Sequence, residues 1–265
     1  MAEAIAITSG KGGVGKTTVS VNLSLAFRKL DNHTLLLDTD MGMANSHVLL
    51  GVNPEYTLEN ILNNEKTISE VIVKTDSGVE LVSGGSASTD LLNLTNDKRY
   101  IVLNEIENHL LKHEKAKLVV DIAAGAEDNS VVFAKACGRI VVIIVGEPTS
   151  FVDSYALIKT ISQKSEFKNF CILVNQVDSN KMGIDLFKRF EAITSKFLDV
   201  KLSYVGCVNY SLQIKKSIVN RRPLLVSDPK SDISMNFLKI AQEIIKTPKN
   251  VWGGLSFFNE QKKRA

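Results

Sequence analysis

Short runs of apolar residues alternate with longer amphipathic stretches along the chain. The short runs predict strands at residues 4–8, 34–37, 79–82, 118–121, 139–145, 170–174 and 204–206. The longer stretches repeat apolar residues with helical spacing and predict helices at 16–29, 98–111, 129–135, 151–164, 184–197 and 233–245. Several strand runs are apolar throughout, which is typical of strands covered on both faces. The alternation predicts an α/β fold, a single domain with a doubly wound, mostly parallel sheet flanked by helices.

Composition agrees with this fold. The 265 residues are 44% hydrophobic and 23% charged, close to the average of soluble globular proteins, and are enough to bury a large core. No apolar run approaches the 18 or so residues that a bilayer-spanning helix needs, and no signal peptide precedes Gly10. The three cysteines are widely spaced and form no CxxC pair. We therefore expect a cytoplasmic protein.

The charge distribution separates a C-terminal segment from the rest of the chain. The net charge is +3, but residues 246–265 alone carry +4, so the other 245 residues sum to −1. Residues 248–265 also contain a proline, a glycine pair and the only tryptophan. We predict an α/β domain over 1–247 and an appended segment over 248–265. The body lacks the basic excess that is typical of nucleic-acid binding.

The string GKGGVGKT at residues 10–17 is the most specific motif. It matches the phosphate-binding pattern GxxxxGK[ST] and lies between the first predicted strand and the first predicted helix. Backbone N–H groups of such a loop converge on phosphate oxygens at a helix N-terminus. We expect Lys16 to pair with the β- and γ-phosphates and Thr17 to ligate Mg²⁺. The predicted nucleotide-binding residues of the loop are Gly10, Lys11, Gly12, Gly13, Val14, Gly15, Lys16, Thr17 and Thr18.

Acidic residues end two of the predicted strands. Asp38 and Asp40 follow the run LLL, and Asp121 ends the run LVVD. Ligands of open α/β sheets bind at this carboxyl edge. We predict that Asp40 orients or deprotonates the attacking water, whereas Asp38 and Asp121 lie at the Mg²⁺ and its bound waters. For Asp38 and Asp40 the alternative role is a helix N-cap.

Two asparagines follow later strands. Asn175 ends the run ILVN, and its amide has donors and an acceptor that suit the edge of a purine. We predict that Asn175 binds adenine and that Asn209 lines the same pocket. A cap at the strand end is an equal alternative for Asn175.

Lys11 goes beyond the general phosphate-loop pattern, and considered alone it could equally be a solvated surface lysine. The string KGGVGKTT resembles the deviant Walker A box of the MinD/ParA family. Further strings are similar to the branch of flagellar-number regulators called FlhG or FleN. They are LLLDTDMGMANSHVLLG from Leu35, VVDIAAG from Val119, EPTSFVDSYALIK from Glu147, FLDVKLSYVG from Phe197 and GGLSFF from Gly253. The resemblance covers residues 5–258.

This resemblance implies a P-loop ATPase of low turnover, dependent on ATP and Mg²⁺, that forms an ATP-bridged homodimer. It implies that Lys11, Lys16 and Asp40 are catalytic, with Lys11 reaching the nucleotide of the other subunit. In the ATP state such a protein lies on the inner face of the cell membrane and regulates flagellar assembly. The implied partners are the GTPase FlhF, flagellar C-ring or switch proteins, or a flagellar transcription activator, with no sequence-specific nucleic acid.

The resemblance has two departures. Many FlhG chains begin with a DQAxxLR segment that activates the partner GTPase, whereas this sequence starts almost directly at the first strand. Either that segment is missing from this sequence or the activation is absent. The family also often has proline at the position of Asn209, which weakens the base-pocket assignment.

The C-terminal segment has one apolar helical face. Val251, Leu255 and Phe258 fall at i, i+4 and i+7, with Trp252 and Phe257 beside them and basic residues beyond. We predict that this segment binds the membrane interface and that its positive charge favours anionic lipid. The alternative is that the aromatic side chains pack on the domain itself.

Three other functions compete with the flagellar one. A MinD-like division-site ATPase shares the loop and the carboxylate strands. A ParA-like DNA-partition ATPase would need a basic surface on the body, and the −1 balance argues against it. A metal-cluster carrier would need clustered or bridging cysteines.

Overall fold

A sheet forms the centre of the computed structural model, which describes residues 2–40, 45–85, 96–165, 167–251 and 257. Its strands are β1 (Glu3–Thr8), β2 (His33–Asp38), β3 (Val73–Lys74), β4 (Val79–Val82), β5 (Ala116–Asp121), β6 (Arg139–Ile144), β7 (Asn169–Val177) and β8 (Lys201–Asn209). They lie in the order β3-β4-β2-β5-β1-β6-β7-β8. The short β3 is antiparallel to β4, and all other neighbours are parallel.

Helices cover both faces of this sheet. Those of the described chain are α1 (Lys16–Lys29), α2 (Ser46–Leu50), α3 (Leu58–Leu62), α4 (Ile68–Val71), α5 (Asn96–Leu110), α6 (Asp128–Lys135), α7 (Pro148–Ser165), α8 (Asn180–Thr194), α9 (Leu212–Val219), α10 (Leu224–Ser227) and α11 (Asp232–Lys246). Helices α1 and α11 complete one hydrophobic core, and α5 to α8 complete the core on the other face.

Strand β1 shows why several strands are mostly apolar. Ile5 and Ile7 pack into the core beneath α1 and α11, whereas Ala4 and Ala6 belong to the core on the opposite face. Because successive side chains of a strand point to opposite faces, a strand covered on both sides needs apolar residues at every position. The predicted doubly wound, mostly parallel α/β fold is therefore confirmed.

Every predicted strand and helix is present, and the differences concern short elements. The sequence analysis did not predict α2, α3, α4, α9, α10 or β3. All of these except the eight-residue α9 have two to five residues. So few residues cannot display a periodic pattern, and these elements depend on what they pack against.

The strand register brings the predicted site residues to one edge. Asp38 at the end of β2 lies opposite Asp121 at the end of β5, and Asp121 lies opposite Ile7 of β1. The phosphate loop follows directly after β1. The loop and both strand-end carboxylates are thus neighbours at the carboxyl edge of the sheet.

The described part of the C-terminal segment is bonded to the opposite edge, where the strands begin. The backbone N–H of Asn250 donates to the carbonyl of Gly138 at 2.8 Å, and its side-chain amide donates to the carbonyl of Asn169 at 2.7 Å. The guanidinium of Arg139 donates to the carbonyl of Thr247 at 3.1 Å. The domain boundary between residues 247 and 248 stays a prediction.

Phe257 differs from the expectation for a membrane-facing residue. Its side chain is buried in the core beneath α6, and its backbone N–H donates to the carbonyl of Ala136 at 2.8 Å. Burial of the ring removes a large apolar area from water. The core of the domain therefore gives Phe257 the apolar environment that a membrane would provide. Val251 is exposed. The predicted membrane residues Trp252, Leu255 and Phe258 lie outside the described residues.

Among the described residues, no helix combines the length and the apolar character that a bilayer span requires.

Candidate functional site

The phosphate loop leaves β1 and leads directly into α1. Gly15, the residue before the helix, has φ 85°, in the left-handed region that glycine adopts without strain. No side chain caps the first turn of α1 at this position, so backbone N–H groups point out of the helix N-terminus. Gly10 packs against α7, because a Cβ atom there would lie 2.2 Å from the backbone carbon of Asp153. The loop therefore has the backbone form that binds phosphate.

Lys16 and Asp121 meet beneath this loop. The Lys16 side chain is nearly buried, and its Nζ lies 3.5 Å from Oδ1 of Asp121. The hydroxyl of Ser20, one helical turn after Lys16, donates to the same oxygen at 3.0 Å. The other oxygen of Asp121, Oδ2, is buried and has no hydrogen-bond partner among the described residues. An orphaned carboxylate oxygen of this kind is suited to a cation or to the water bound to one.

Asp38 lies buried beside Asp121 and is held by backbone donors. Its Oδ1 accepts a hydrogen bond from the N–H of Asp40 at 3.1 Å, and its Oδ2 accepts one from the N–H of Ser46 at 3.0 Å. Ser46 is the first residue of α2, and the N-cap position of that helix is occupied by Asn45. The carboxylate is thereby fixed in orientation at the edge of the sheet.

Burial and mutual repulsion shift the protonation of both carboxyl groups. Burial, reinforced by the charge of Asp121, raises the pKa of Asp38 to about 7. Burial also raises the pKa of Asp121, while the nearby Lys16 opposes that change. Two buried carboxylates side by side are unfavourable unless a cation joins them. The oxygen donors of Thr17, Asp38 and Asp121 therefore fit Mg²⁺, which prefers oxygen ligands.

Asp40 lies two residues beyond Asp38 at the same edge and is partly buried. Its backbone N–H donates a hydrogen bond to Asp38, and this bond fixes the backbone of Asp40. Residues 41–44, which follow it, lie outside the described ranges. The water-orienting role of Asp40 stays a prediction.

Lys11 is held at the surface by its own chain. Its ammonium is ion-paired with Glu147 and lies 3.2 Å from the hydroxyl of Thr149. The side chain of Lys11 is 38% exposed and that of Glu147 is 60% exposed. The sequence analysis quoted Glu147 and Thr149 only within a family string and gave neither residue a role. Their position just after β6, at the carboxyl edge of the sheet, was the signal that could have found them.

Asn175 supports the phosphate loop from β7. Its buried side-chain amide donates to the carbonyl of Val14 at 2.7 Å. The same nitrogen would lie 2.6 Å from a Cβ at Gly15, so the two are closely packed. The amide nitrogen thus donates to the phosphate loop, and the cap at the strand end stays the alternative prediction. Its contact with adenine stays a prediction.

Asn209 ends β8, next to β7 in the sheet. Its Oδ1 is buried and lacks a hydrogen-bond partner within the described ranges. The following residue, Tyr210, donates its N–H to the carbonyl of Val177 and is 54% exposed. The structure places Asn209 near the strand end that carries Asn175, and its base-binding role stays a prediction.

Comparison with known proteins agrees with this geometry. The family described as the CobQ/CobB/MinD/ParA nucleotide binding domain matches residues 5–224. The antiactivator FleN of Pseudomonas aeruginosa is 35% identical over 261 residues, which are 98% of this chain and 92% of FleN. The flagellum site-determining protein YlxH of Helicobacter pylori is 29% identical over 243 residues, covering 89% of this chain and 80% of YlxH.

A solved structure shares the fold. The septum site-determining protein MinD of Pyrococcus horikoshii, solved in complex with Mg-ADP, superposes with a TM-score of 0.74 at 20% identity, covering 93% of this chain and 97% of that one. The phosphate loop, the converging carboxylates and the family match lead to one conclusion. The chain belongs to the CobQ/CobB/MinD/ParA nucleotide-binding family, in which it is a MinD/ParA-type ATPase similar to FleN.

Proposed function

We propose that this protein is a Mg²⁺-dependent ATPase that dimerises on ATP and regulates the number and placement of flagella by reversible membrane and partner binding. The observation that carries the proposal is the position of Lys11. This lysine belongs to the phosphate loop, yet its ammonium lies at the surface beside Glu147. A cation placed there can reach a nucleotide that a second subunit presents.

Within one subunit, the chain's own groups account for nucleotide binding and hydrolysis. The backbone of the loop and Lys16 would hold the phosphates, and Thr17, Asp38 and Asp121 would hold Mg²⁺. When bound, this ion would supply positive charge that offsets the charge of the phosphates. Asp40 orients a water in line with the γ-phosphate, and the products are ADP and phosphate.

Dimerisation adds a second lysine to the nucleotide site, Lys11 of the other subunit. Lys11 leaves Glu147 and places its charge on the phosphates of the other subunit, as an arginine finger does in other P-loop enzymes. Breaking the Lys11–Glu147 pair costs little free energy, since an exposed ion pair contributes only about 0–1 kcal/mol to stability. ATP therefore favours the dimer, and hydrolysis with phosphate release reverses it.

The strength of membrane binding depends on how many C-terminal segments act together. One short segment with few apolar side chains binds lipid weakly and reversibly. Two segments on one dimer act at high effective concentration, so ATP increases membrane residence without altering the segment. Release of Phe257 from the core makes one more aromatic side chain available to lipid.

The flagellar role rests on the relatives. FleN is named an antiactivator and YlxH a flagellum site-determining protein. We therefore propose that the ATP dimer acts on flagellar assembly through an FlhF-type GTPase, the C-ring or switch proteins, or a flagellar transcription activator.

Two measurements test the proposal. Light scattering should show a monomer with ADP and a dimer with a non-hydrolysable ATP analogue. Flagella counted by electron microscopy in a FleN-deficient Pseudomonas aeruginosa strain should change on expression of the wild type but not of Lys16→Ala. A chain that hydrolyses ATP but leaves flagella unchanged would favour a MinD-like role, and nucleotide-dependent retention of duplex DNA on filters would favour a ParA-like one.

A further inference from the structure

Three of the four histidines of the chain lie together at the edge of the sheet opposite the phosphate loop. His33 is the first residue of β2, His109 lies in the last turn of α5, and His113 lies in the connection from α5 to β5. One ring nitrogen of each lies within 4.8 Å of one nitrogen of each of the others. Residues far apart in sequence are thus gathered into one cluster of nitrogen donors.

Glu80 of β4 lies beneath this cluster and orients two of the rings. Its Oε2 is 2.9 Å from Nε2 of His33 and 2.7 Å from Nε2 of His109. A carboxylate can only accept hydrogen bonds, so both Nε2 atoms carry the protons that point to Glu80.

This arrangement leaves the Nδ1 atoms of the two oriented rings as lone-pair donors. Nδ1 of His109 is buried and has no hydrogen-bond partner among the described residues. Neutral imidazoles whose other nitrogen donates to a carboxylate are the usual ligands of zinc-type cations.

We propose that His33, His109 and His113 bind a zinc-type divalent cation, with Glu80 orienting two of the ligands. The expected coordination is three imidazole nitrogens and a water, as in open zinc sites. The rings of His33 and His113 are stacked, with centroids 3.5 Å apart and planes within 9°. Because each imidazole binds a metal in its own plane, this stack must open on binding, and His113, on a connection between elements, can turn.

The site is distinct from the nucleotide site. His33 and Asp38 are the two ends of β2, so roughly 16 Å of strand separates them at about 3.3 Å per residue. The ligands are nitrogen atoms, whereas the nucleotide site offers oxygen atoms, and these donor sets select different cations. A bound ion would tie the end of α5 to β2 and stabilise the domain independently of ATP.

The test is titration of the full-length, tag-free protein, saturated with Mg-ADP, with Zn²⁺ by calorimetry and with Co²⁺ by visible absorption. We expect one Zn²⁺ per chain, a Co²⁺ spectrum of low coordination number and a melting temperature about 5 °C higher at saturating Zn²⁺. His113→Asn should lower the affinity at least tenfold, and Glu80→Gln should lower it by about 10–100-fold. Excess Mg²⁺ should not compete.

The fourth histidine provides the matched control. His47→Asn, in α2, removes a histidine outside the cluster and should leave Zn²⁺ binding unchanged. Melting in EDTA shows whether each variant is folded. The proposal is overturned if the wild type binds no Zn²⁺, or if folded His33→Asn and His113→Asn bind it as the wild type does. The cluster would then be a network of hydrogen bonds around Glu80.

Discussion

The ammonium of Lys11 is ion-paired with the carboxylate of Glu147, which follows 136 residues later in the same chain. This contact occupies the lysine that we propose to act on the other subunit. Both side chains are well exposed, so water weakens the pair and leaves it exchangeable.

Lys11→Ala should bind nucleotide but fail to dimerise with a non-hydrolysable ATP analogue. Lys16 and the backbone still hold the phosphates, whereas the charge contributed to the partner is lost. Glu147→Gln, which frees Lys11, should dimerise at equal or lower nucleotide concentration than the wild type. Light scattering measures both variants. Normal dimerisation of Lys11→Ala would refute the role of this lysine across the interface.

Asp40→Ala should bind Mg-ATP, accumulate as the dimer and lose about 10²-fold or more in turnover. The water loses its orienting group, while the phosphates keep theirs. Phosphate release and light scattering, measured on the same samples, check this expectation. If phosphate release stays within a few-fold of the wild type, another group positions the water.

Asn175→Ala distinguishes support of the loop from recognition of the base. The bond from its amide to the carbonyl of Val14 predicts that binding of ATP and GTP weakens to the same extent. A role at the adenine edge predicts loss of ATP binding alone. Titration with fluorescent analogues of both nucleotides separates these outcomes.

Glu3 should make stability depend on pH. Its carboxylate is bonded to Lys117 and Lys249 at 2.6 Å each and lies 3.1 Å from Nη1 of Arg139. Burial opposes the charge, yet these cations lower the pKa of Glu3 to about 2. Because the folded-state pKa lies below the usual 4.5, the stabilisation is complete above about pH 4.5 and is lost as the pH falls towards 2.

Glu3→Gln should therefore reduce the free energy of unfolding by up to about 3 kcal/mol at pH 7 and by less at pH 3. Urea unfolding at both pH values measures the difference. Glu243→Gln removes the exposed partner of Lys246 and should cost under about 0.5 kcal/mol at either pH. An equal loss for Glu3→Gln at pH 3 and pH 7 would contradict the charge argument.

The C-terminal segment should respond to the release of Phe257. Phe257→Ala removes the ring that docks the segment, so binding to anionic liposomes in ADP should increase over the wild type. A chain that ends at Thr247 should not co-sediment with liposomes in either nucleotide state. Val251→Ala changes an exposed position and should stay folded as the wild type does. Equal sedimentation of the wild type and the truncated chain would exclude the segment as an anchor.

The sequence by itself determined the fold class, the phosphate loop and the edge at which Asp38 and Asp121 meet. These features are local: apolar runs and helical periodicity follow from backbone geometry, and the carboxyl ends of parallel strands share one edge. The sequence analysis did not predict β3 or the helices α2, α3, α4, α9 and α10, because these elements are too short to repeat a periodic pattern clearly.

Only the tertiary structure decided the partners of individual side chains. Glu147 meets Lys11 because β6 lies beside β1, and Asn175 meets Val14 because β7 follows β6 in the sheet. Glu80 meets His33 because β4 lies beside β2, and Phe257 is bonded to Ala136, just after α6. The first three of these contacts join residues that strand order brings together. Strand order is set by the packing of the whole domain, and no local sequence pattern encodes it.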